Sequence, residues 1–436
     1  MLIYGTEGNL YTIRDSRNWA KKIAAIVRKG GCIGLIVIRL GGYEHLVSQL
    51  GYAGSNAAHR QISKFLRQII PGHQVYRLDS LHFGCIVDGG EDAAMEVAVR
   101  IEDRLSQKFN IPGYNDSVRI PFGIAVAECP GFISSKEEYK YLVKVLLPEP
   151  KEYDSEHIRR IREEDVKIFA RRRAVERAIE RSIRSASFKV LYQPIIRVDE
   201  MSVYSVEALV RLDDPELGMI FPDEFIPVAE EMDVMPYITE CVMNRAAGLM
   251  SSGGLMDRGV HRMHVNISAS ECVREDTATK LKAIAADNKL DDFVMCLELS
   301  EEASPGEHNA VGEGIVRLHD EGLAIVLDDY GTGYSNMTGI VALPIDLVKI
   351  DRSFLWMAMK DEKIMRMLTC IIDMIHEMGR KVLLTGIEDK DHYEAVLDAG
   401  VDYIQGYYLC KPVTDDELME YAANVNQYGL SPVGEE

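Results

Sequence analysis

An apolar run that ends in two adjacent carboxylates carries the clearest chemical signal in this sequence. The segment VLDDYGTGYSN occupies residues 326–336, where Asp328 and Asp329 are followed at once by a glycine-rich turn. Neighbouring strand residues point to opposite faces, so both carboxylates reach one cation or one water molecule only at a strand end or a bulge. Taken alone, the segment fits a solvated loop after a strand as well as it fits a site.

The same pattern, an apolar run that ends in a polar side chain, recurs through the C-terminal half. Eight short runs rich in Val, Ile, Leu and Tyr alternate there with stretches of helical character. Their polar residues are Gln193, Glu207, Arg211, Asn266, Glu298, Glu301, Asp328, Asp329, Lys349, Asp351, Glu388 and Gln405. Strands and helices alternating in this number predict a TIM-like (β/α)8 barrel, in which functional side chains meet at the C-terminal ends of the strands.

The donor types in this set indicate a cation site. Carboxylate and amide oxygens dominate the set, which contains neither His nor Cys and therefore favours a hard ion such as Mg²⁺, Mn²⁺ or Ca²⁺. Several carboxylates at one mouth of a barrel repel one another strongly unless such an ion lies between them. A metal site is the economical explanation of the pattern.

Composition excludes several classes of protein. The chain has 436 residues, 47% of them hydrophobic, and a formal net charge of −20. We therefore expect a soluble globular protein that binds neither nucleic acid nor an anionic membrane surface. No apolar segment is long enough for membrane insertion, the N-terminus lacks a signal-peptide pattern, and the eight cysteines contain no CxxC pair. These features predict a cytoplasmic protein with reduced thiols.

The sequence divides into three parts. Residues 1–150 predict a small α/β domain, because strand-like runs alternate with helical stretches. These runs and stretches lie at 34–40, 59–70, 75–87, 93–109 and 117–128. Residues 151–186 contain neither Gly nor Pro and mix charges of both signs, which predicts a connecting helix. Residues 187–430 form the predicted barrel domain.

Eight segments follow one another in the C-terminal half: YQPII, VEALVRL, FPDEFIPVAEE, VNIS, LELSEE, LDDYGTGYSN, LVKID and DYIQGYYLCKP. In their order and spacing, they resemble the EAL family of bacterial cyclic di-GMP phosphodiesterases. They extend from about Val175 to Val425. Family members usually carry a GGDEF diguanylate cyclase domain upstream, and residues 1–150 resemble that domain in outline. The resemblance implies a tandem GGDEF–EAL protein of cyclic di-GMP signal transduction.

The resemblance implies a role for each matching side chain of the barrel. It implies Mg²⁺ or Mn²⁺ as the cofactor, with Ca²⁺ as an inhibitor, and the implied metal ligands are Glu207, Asn266, Glu298, Asp328 and Asp329. The residue at the attacking water, the anchor of the GTGYS loop and a member of the water network are, in that order, Lys349, Glu301 and Gln405. The residues implied to contact cyclic di-GMP are Gln193, Arg211 and Asp351. Such sites hydrolyse a phosphodiester with two metal ions.

Residues 1–150 depart from the cyclase pattern where its chemistry needs acids and glycines. The alignment places DSLHF, residues 79–83, at the GGDEF signature, and Arg39 stands where the family has another metal-binding Asp. A positive charge there repels Mg²⁺. The RxxD inhibition motif is also missing, with Ile70 and His73 at its ends. We predict that this degenerate domain makes no cyclic di-GMP; binding of a protein partner, or weak binding of GTP, stays open.

One position of the barrel also breaks the family pattern. Where the family has AEGVE this chain has LTGIE, which places Thr385 at a glutamate that serves the second metal or its water. A threonine hydroxyl does not act as a general base near pH 7, and loss of one general base costs about 10² to 10⁴ in rate. Glu388 matches the second, more structural glutamate of that motif.

Three functions stay open at this point. The first is a cyclic di-GMP receptor with impaired hydrolysis, which we expect ahead of the others. The second is an active metal-dependent phosphodiesterase that produces linear pGpG, and the third is a scaffold that binds neither ligand nor substrate. The resemblance also implies a homodimer through the EAL domain.

Overall fold

Two compact units make up the chain, Met1–Arg173 and Ala174–Glu436. A computed structural model describes residues 10–41, 57, 60–70, 74–78, 81–110, 117–129, 157–252, 254–301, 310–332 and 337–430. Within these ranges no helix combines the length and the apolarity that crossing a membrane requires.

The first unit is the small α/β domain that the sequence predicts. Its strands are β1 (Ile33–Leu40), β2 (Val75–Arg77), β3 (His82–Asp88), β4 (Phe109–Asn110), β5 (Ser117–Val118), β6 (Phe122–Cys129) and β7 (Ile158–Arg160). Its helices include α1 (Leu10–Arg28) and α2 (Gly90–Leu105). Residues 60–69 are also helical. Five strands form one sheet in the order β2-β3-β1-β6-β7, in which β1 is antiparallel to β3 and β6.

The apolar run of β1 is continuous because both faces of this central strand are covered. Ile36 and Ile38 pack in one core together with Ile101 of α2. Leu35 and Val37 point to the other face and pack in a second, separate core that includes Trp19 of α1. A strand buried on both sides needs apolar residues at every position rather than at alternate ones.

Helix α3 (Glu163–Ser185) crosses the boundary between the units, and the remaining elements belong to the second unit. The strands of the second unit are β8 (Lys189–Arg197), β9 (Ser202–Asp214), β10 (Gly218–Ile220), β11 (Arg262–Asn266), β12 (Met295–Ser300), β13 (Ala324–Tyr330), β14 (Leu347–Ile350), β15 (Lys381–Leu384) and β16 (Tyr403–Ile404). Its α-helices are α4 (Pro222–Glu231), α5 (Met235–Ser251), α6 (Ala269–Cys272), α7 (Thr277–Asp287), α8 (Ala310–Asp320), α9 (Met337–Ala342), α10 (Arg352–Ala358), α11 (Glu362–Glu377), α12 (Lys390–Asp398) and α13 (Asp415–Tyr428).

All strands of this nine-stranded sheet except β10 close into a barrel, because β8 pairs with both β9 and β16. The predicted TIM-like barrel is confirmed. The barrel is not all-parallel, because its first strand, β8, is antiparallel to both of its neighbours. A turn over residues 198–201 joins β8 to β9, and so short a connection can link only antiparallel strands.

Candidate active site

Alternation along the barrel strands explains how the polar side chains reach one place. A separate cluster of buried residues consists of Ile195, Cys296, Ala324, Val326, Leu347 and Leu383, one or two from each of several barrel strands. Residues two positions further along a strand share its face. On the parallel strands, those that follow this apolar layer are Glu298, Asp328, Lys349 and Thr385.

Three carboxylates surround the ammonium group of Lys349. Its Nζ lies 3.0 Å from Glu207 Oε2, 2.7 Å from Glu298 Oε2 and 3.3 Å from Asp328 Oδ2. The side chains of Lys349 and Glu298 are 7% and 0% exposed. One positive charge therefore faces three carboxyl groups where water has little access.

When all three carboxyl groups are ionised, they carry more negative charge than Lys349 can balance. Burial alone would raise the pKa of Glu207, but the Lys349 ammonium and hydrogen bonds from Gln405 and Asn266 lower it to about 2. Burial raises the pKa of Glu298 to about 8, and repulsion from Glu207 adds to the effect. Burial also raises the pKa of Asp328 to about 7, although Lys349 opposes it. A further cation would stabilise the ionised cluster.

The donor set of this cluster fits a hard divalent cation, because its ligands are carboxylate and amide oxygens. Across the described residues, no three His, Cys, Asp or Glu side chains are arranged around a common metal position. Lys349 Nζ itself lies between the carboxylates, so a cation would have to bind beside the ammonium group or displace it.

Two amide side chains hold the Glu207 carboxylate. Asn266 Nδ2 donates to Glu207 Oε1 at 3.2 Å, and Gln405 Nε2 donates to Oε2 at 2.9 Å. The predicted Gln193 is also buried, but its Nε2 donates to the carbonyl oxygen of Cys410 at 3.1 Å. Gln193 therefore fixes the chain near the end of the barrel in addition to any contact with a ligand.

A bulge after Leu327 places the two neighbouring aspartates at one site. The register between β13 and β14 shifts between Leu327 and Tyr330, and Asp329 has a φ of 57°. The N–H of Asp329 donates to Asp328 Oδ1 at 2.7 Å. Both side chains line the same cavities. The next turn is also held, since the N–H of Gly331 donates to Glu301 Oε2 at 2.9 Å.

Two cavities meet at the carboxylate cluster, which consists of Glu207, Glu298 and Asp328 around Lys349. The larger has a volume of about 520 Å³, and its wall includes Arg211, Phe221, Ile226, Thr239 and Asn266. The smaller has a volume of about 370 Å³, and its wall includes Gln193, Lys349, Asp351, Arg352, Thr385, Glu388 and Gln405. Both are lined by Glu207, Leu209, Asp328, Asp329 and Tyr407. These volumes are typical of sites for small-molecule ligands.

Two charged residues predicted to contact a ligand also bond within the protein. Arg211 Nη1 donates to the carbonyl oxygen of Val210 at 2.9 Å. Asp351 Oδ1 accepts from the N–H of Ser353 at 2.9 Å and thereby caps α10. The cap fixes where Asp351 stands in the wall of the smaller cavity.

Thr385 lines the smaller cavity, where its hydroxyl is already engaged. Thr385 Oγ1 donates to the carbonyl oxygen of Ile350 at 3.1 Å. Glu388 is exposed and lines the same cavity. Asp389 accepts from the N–H of His392 at 2.8 Å and caps α12. Of these two nearby acids, Glu388 is the one in the wall of the cavity.

His264 belongs to the same cluster, although the sequence patterns above do not single it out. Its Nδ1 lies 2.8 Å from Glu298 Oε1, and both residues are 1% exposed. The available signal is its place two residues before Asn266 in the run HVNIS, since residues two apart on a strand share a face.

In the first unit, two residues that the predicted resemblance to a cyclase domain singles out lie on neighbouring strands. Arg39 in β1 lies directly opposite His82 in β3. Asp79, Ser80 and His73 lie outside the described residues, as do residues 333–336 of the GTGYS segment.

Known proteins with similar sequences match the second unit, and some of these matches extend into the first unit. Residues 176–412, more than half of the chain, match the EAL domain family. PdeG of Escherichia coli K12, a probable cyclic di-GMP phosphodiesterase, is 29% identical over 246 residues, 56% of this chain and 48% of PdeG. MucR of Pseudomonas aeruginosa, a bifunctional diguanylate cyclase/cyclic di-GMP phosphodiesterase, is 25% identical over 361 residues, 80% of this chain and 51% of MucR. The chain thus spans about half the length of these two relatives.

Solved structures share the same architecture. The PaMucR phosphodiesterase in complex with c-di-GMP is 25% identical, with a TM-score of 0.52 over 56% of this chain and 99% of that structure. The EAL enzyme Bd1971, bound to cAMP and cyclic di-GMP, shows the likeness of fold alone: 18% identity and a TM-score of 0.56 over 90% of this chain and 95% of that structure. Together, the family match and the barrel with its carboxylate cluster show that this chain belongs to the EAL domain family.

Proposed function

We propose that this protein is a cyclic di-GMP receptor whose EAL domain binds the dinucleotide and hydrolyses it slowly or not at all. The observation that carries the proposal is the state of Thr385, a neutral side chain whose hydroxyl donates to the carbonyl oxygen of Ile350. Solved relatives of this fold hold the same dinucleotide, among them the PaMucR complex. The cavities and the carboxylate cluster would bind the dinucleotide, while Thr385 provides no general base for hydrolysis.

The residues that would hold Mg²⁺ or Mn²⁺ are Glu207, Asn266, Glu298, Asp328 and Asp329. When bound, such an ion neutralises the carboxylates, polarises a phosphodiester oxygen and lowers the pKa of bound water. The larger cavity would take one part of the ligand, with the Arg211 guanidinium as a charged donor to a phosphate oxygen. Asp351 and Gln193 would contact the other part in the smaller cavity.

The same residues account for weak hydrolysis. Lys349 would orient the attacking water through its ammonium group, and Gln405 would hold Glu207 in place for it. Neither group accepts the proton that leaves the water, since Lys349 is protonated and its three carboxylate neighbours raise its pKa despite its burial. Because position 385 carries no carboxylate, we expect hydrolysis to be slower by a factor of about 10² to 10⁴.

An active phosphodiesterase is the second candidate, and one observation favours it. Glu388 lines the same cavity as Thr385 and supplies a carboxylate on the same wall. If Glu388 accepts the proton, the protein would convert cyclic di-GMP to linear pGpG with Mg²⁺ or Mn²⁺.

A titration followed by product analysis tests both candidates. We would titrate the full chain with cyclic di-GMP in a calorimeter in the presence of Mg²⁺, and then chromatograph the same sample for pGpG. Binding without product supports the receptor, and product at rates typical of enzymes supports the second candidate. Thr385→Glu should then raise turnover about 10²-fold or more, while Thr385→Gln, of similar size but without a base, should not. A chain that binds no dinucleotide would refute both.

We also propose that residues 1–150 are a degenerate GGDEF-like domain without cyclase activity, joined by a connecting segment at 151–186 to an EAL domain at 187–430. The helix predicted over this whole segment is shorter in the structure, because Ile158–Arg160 form β7 and α3 covers Glu163–Ser185. Arg39 opposite His82 supports this, because a cationic guanidinium at that point opposes a metal-bound nucleotide. We expect a cytoplasmic homodimer formed through the EAL domain, with a protein partner at the first domain. Formation of cyclic di-GMP from GTP and Mg²⁺ by the full chain would contradict the first of these proposals.

A further inference from the structure

We propose that His264 is a positioning residue that fixes the Glu298 carboxylate for the divalent cation. The inference rests on the proposed function, because Glu298 is a metal ligand only within that proposal. His264 would touch neither the cation nor the substrate, and would act through Glu298.

Both oxygens of the Glu298 carboxylate have a partner in the barrel. His264 Nδ1 lies 2.8 Å from Oε1, and Lys349 Nζ lies 2.7 Å from Oε2. The terminal torsion of a glutamate is broad and poorly restrained by its own chain. An ionised Glu298 that ligates a cation only accepts hydrogen bonds, so the inference assigns the proton of this pair to His264 Nδ1. Two hydrogen bonds from opposite sides of the carboxylate then remove that freedom and set the plane in which its lone pairs point.

The sheet register shows why His264 can reach Glu298. In β11 and β12, which are parallel, Asn266 pairs with Glu298, and His264 pairs with Cys296. His264 therefore lies one inward-facing step before Glu298 along the barrel axis, and its ring extends towards the carboxylate. Asn266, on the same face and one step further, bonds to Glu207 instead. The two residues of β11 thus hold two different carboxylates.

The burial of this pair argues for a specific role over simple packing. The side chains of His264 and Glu298 are 2% and 0% exposed. An apolar residue would fill the same space, but it would leave Oε1 of a buried carboxylate without its hydrogen bond. Residues that hydrogen-bond a metal ligand from behind typically change metal affinity or activity 10- to 100-fold when they are replaced.

The experiment measures the affinity of the full chain for Mn²⁺ by calorimetry, after the metal has been stripped with EDTA and without any nucleotide. His264→Asn retains an N–H donor close to the Nδ1 position and should bind Mn²⁺ within about threefold of the wild type. His264→Leu removes the donor at similar volume and should bind about 10- to 100-fold more weakly. His264→Gln, whose amide lies one atom further out, should also bind weakly, and it replaces the Leu variant if that variant does not fold.

A packing role and a positioning role differ in the background of Glu298→Gln. If His264 acts through the Glu298 carboxylate, His264→Leu should weaken Mn²⁺ binding in the wild type and add little in the Glu298→Gln chain. Mn²⁺ affinities of the Leu and Gln variants equal to that of the wild type would overturn the inference while leaving the proposed metal site intact. A wild-type chain that binds no Mn²⁺ would overturn the metal site and the inference together.

Discussion

At the scale of single residues, the charge balance of the site depends on Lys349. Its ammonium group contacts Glu207, Glu298 and Asp328, and Lys349→Met would leave these carboxylates around an apolar chain. Removal of one partner from a buried ion pair costs about 3–5 kcal/mol. We expect K349M to unfold at a lower urea concentration than the wild type in EDTA and to recover most of the loss in Mn²⁺. Circular dichroism during urea titration measures both.

Lys381 provides the matched control for this substitution. Lys381 Nζ lies 2.6 Å from Asp402 Oδ1, but its side chain is 61% exposed. Exposed ion pairs contribute about 0–1 kcal/mol, so K381M should lose little stability and gain nothing from Mn²⁺. Equal losses in the two variants would show that the three carboxylates do not depend on Lys349.

At this scale, the sequence predicted which residues meet at the site better than it predicted the hydrogen bonds between them. Glu207, Glu298, Asp328 and Lys349 come together because each follows an apolar residue on a barrel strand, a pattern visible in the sequence. The hydrogen bond from the Thr385 hydroxyl to Ile350 was not predictable, because it depends on how the neighbouring strand β14 is placed. His264 was not predicted for a related reason. A histidine in an apolar run is most simply interpreted as a core residue until its contact with Glu298 on the neighbouring strand is known.

At the scale of elements, the hydrogen bond between Glu301 and Gly331 links the ends of β12 and β13. Glu301 Oε2 accepts the N–H of Gly331, which has a φ of 97°. Glu301→Ala removes the acceptor, so the amide of Gly331 should exchange with deuterium about tenfold faster, or more, if a hydrogen bond of at least about 1.4 kcal/mol is lost. Hydrogen exchange with mass spectrometry of the peptide that contains Gly331 measures this.

Glu301→Gln is the control, because its amide oxygen can still accept from Gly331. Exchange in E301Q should stay close to that of the wild type. Acceleration of the same size in both variants would mean that the charge of Glu301, rather than its position as an acceptor, holds the turn.

The end of α3 is attached to β9 by a buried carboxylate, which gives a prediction about pH. Asp214 accepts from Arg181 Nε and Nη2 at 3.0 and 2.7 Å and from the N–H groups of Glu216 and Leu217 at 3.0 and 3.1 Å. Burial alone would raise the pKa of Asp214, but these hydrogen bonds outweigh it and lower the pKa. The stabilisation is therefore full above the unfolded-state pKa of about 3.9 and is lost as the pH falls through the lower folded-state pKa.

Asp214→Asn should accordingly lower the melting temperature at pH 7, with a cost of about 1–3 kcal/mol for donors left without their acceptor. The difference from the wild type should shrink as the pH approaches 3. Asp213→Asn is the control, since Asp213 pairs with Lys189, whose side chain is 57% exposed. A difference between D214N and the wild type that stays constant from pH 7 to pH 3 would contradict the role of the charge.

The order of the barrel strands was predictable from the sequence, and the direction of the first strand was not predicted. The runs over β8 and β9 are separated only by residues 198–201, a gap too short for a helix, and this was the available signal. Number and spacing of apolar runs determine how many strands form. Direction depends on the length of each connection, so it has to be derived for each pair of strands.

At the scale of the whole molecule, the boundary between the units is the feature that composition describes least well. Residues 151–186 contain neither Gly nor Pro, and α3 continues without interruption through the division at Arg173 and Ala174. Helical periodicity predicts that a helix forms, but it does not predict which core each turn of the helix packs against. The three-dimensional packing decides that: Phe169 lies in a core of the first unit, and Val175 in that of the barrel.

That packing predicts how much of the chain a functional barrel needs. Val175, Ala178 and Ile179 are each 0% exposed and belong to the core around the barrel strands. A fragment of residues 174–436 retains them and every residue of the cluster, so it should bind cyclic di-GMP with the affinity of the full chain. A fragment of residues 187–436 lacks them and loses about 1.5–3 kcal/mol for each large aliphatic side chain, a sizeable part of a typical total stability of about 5–15 kcal/mol. Thermal melts of the two fragments measure the difference, and equal melting temperatures would mean that the barrel core is complete without α3.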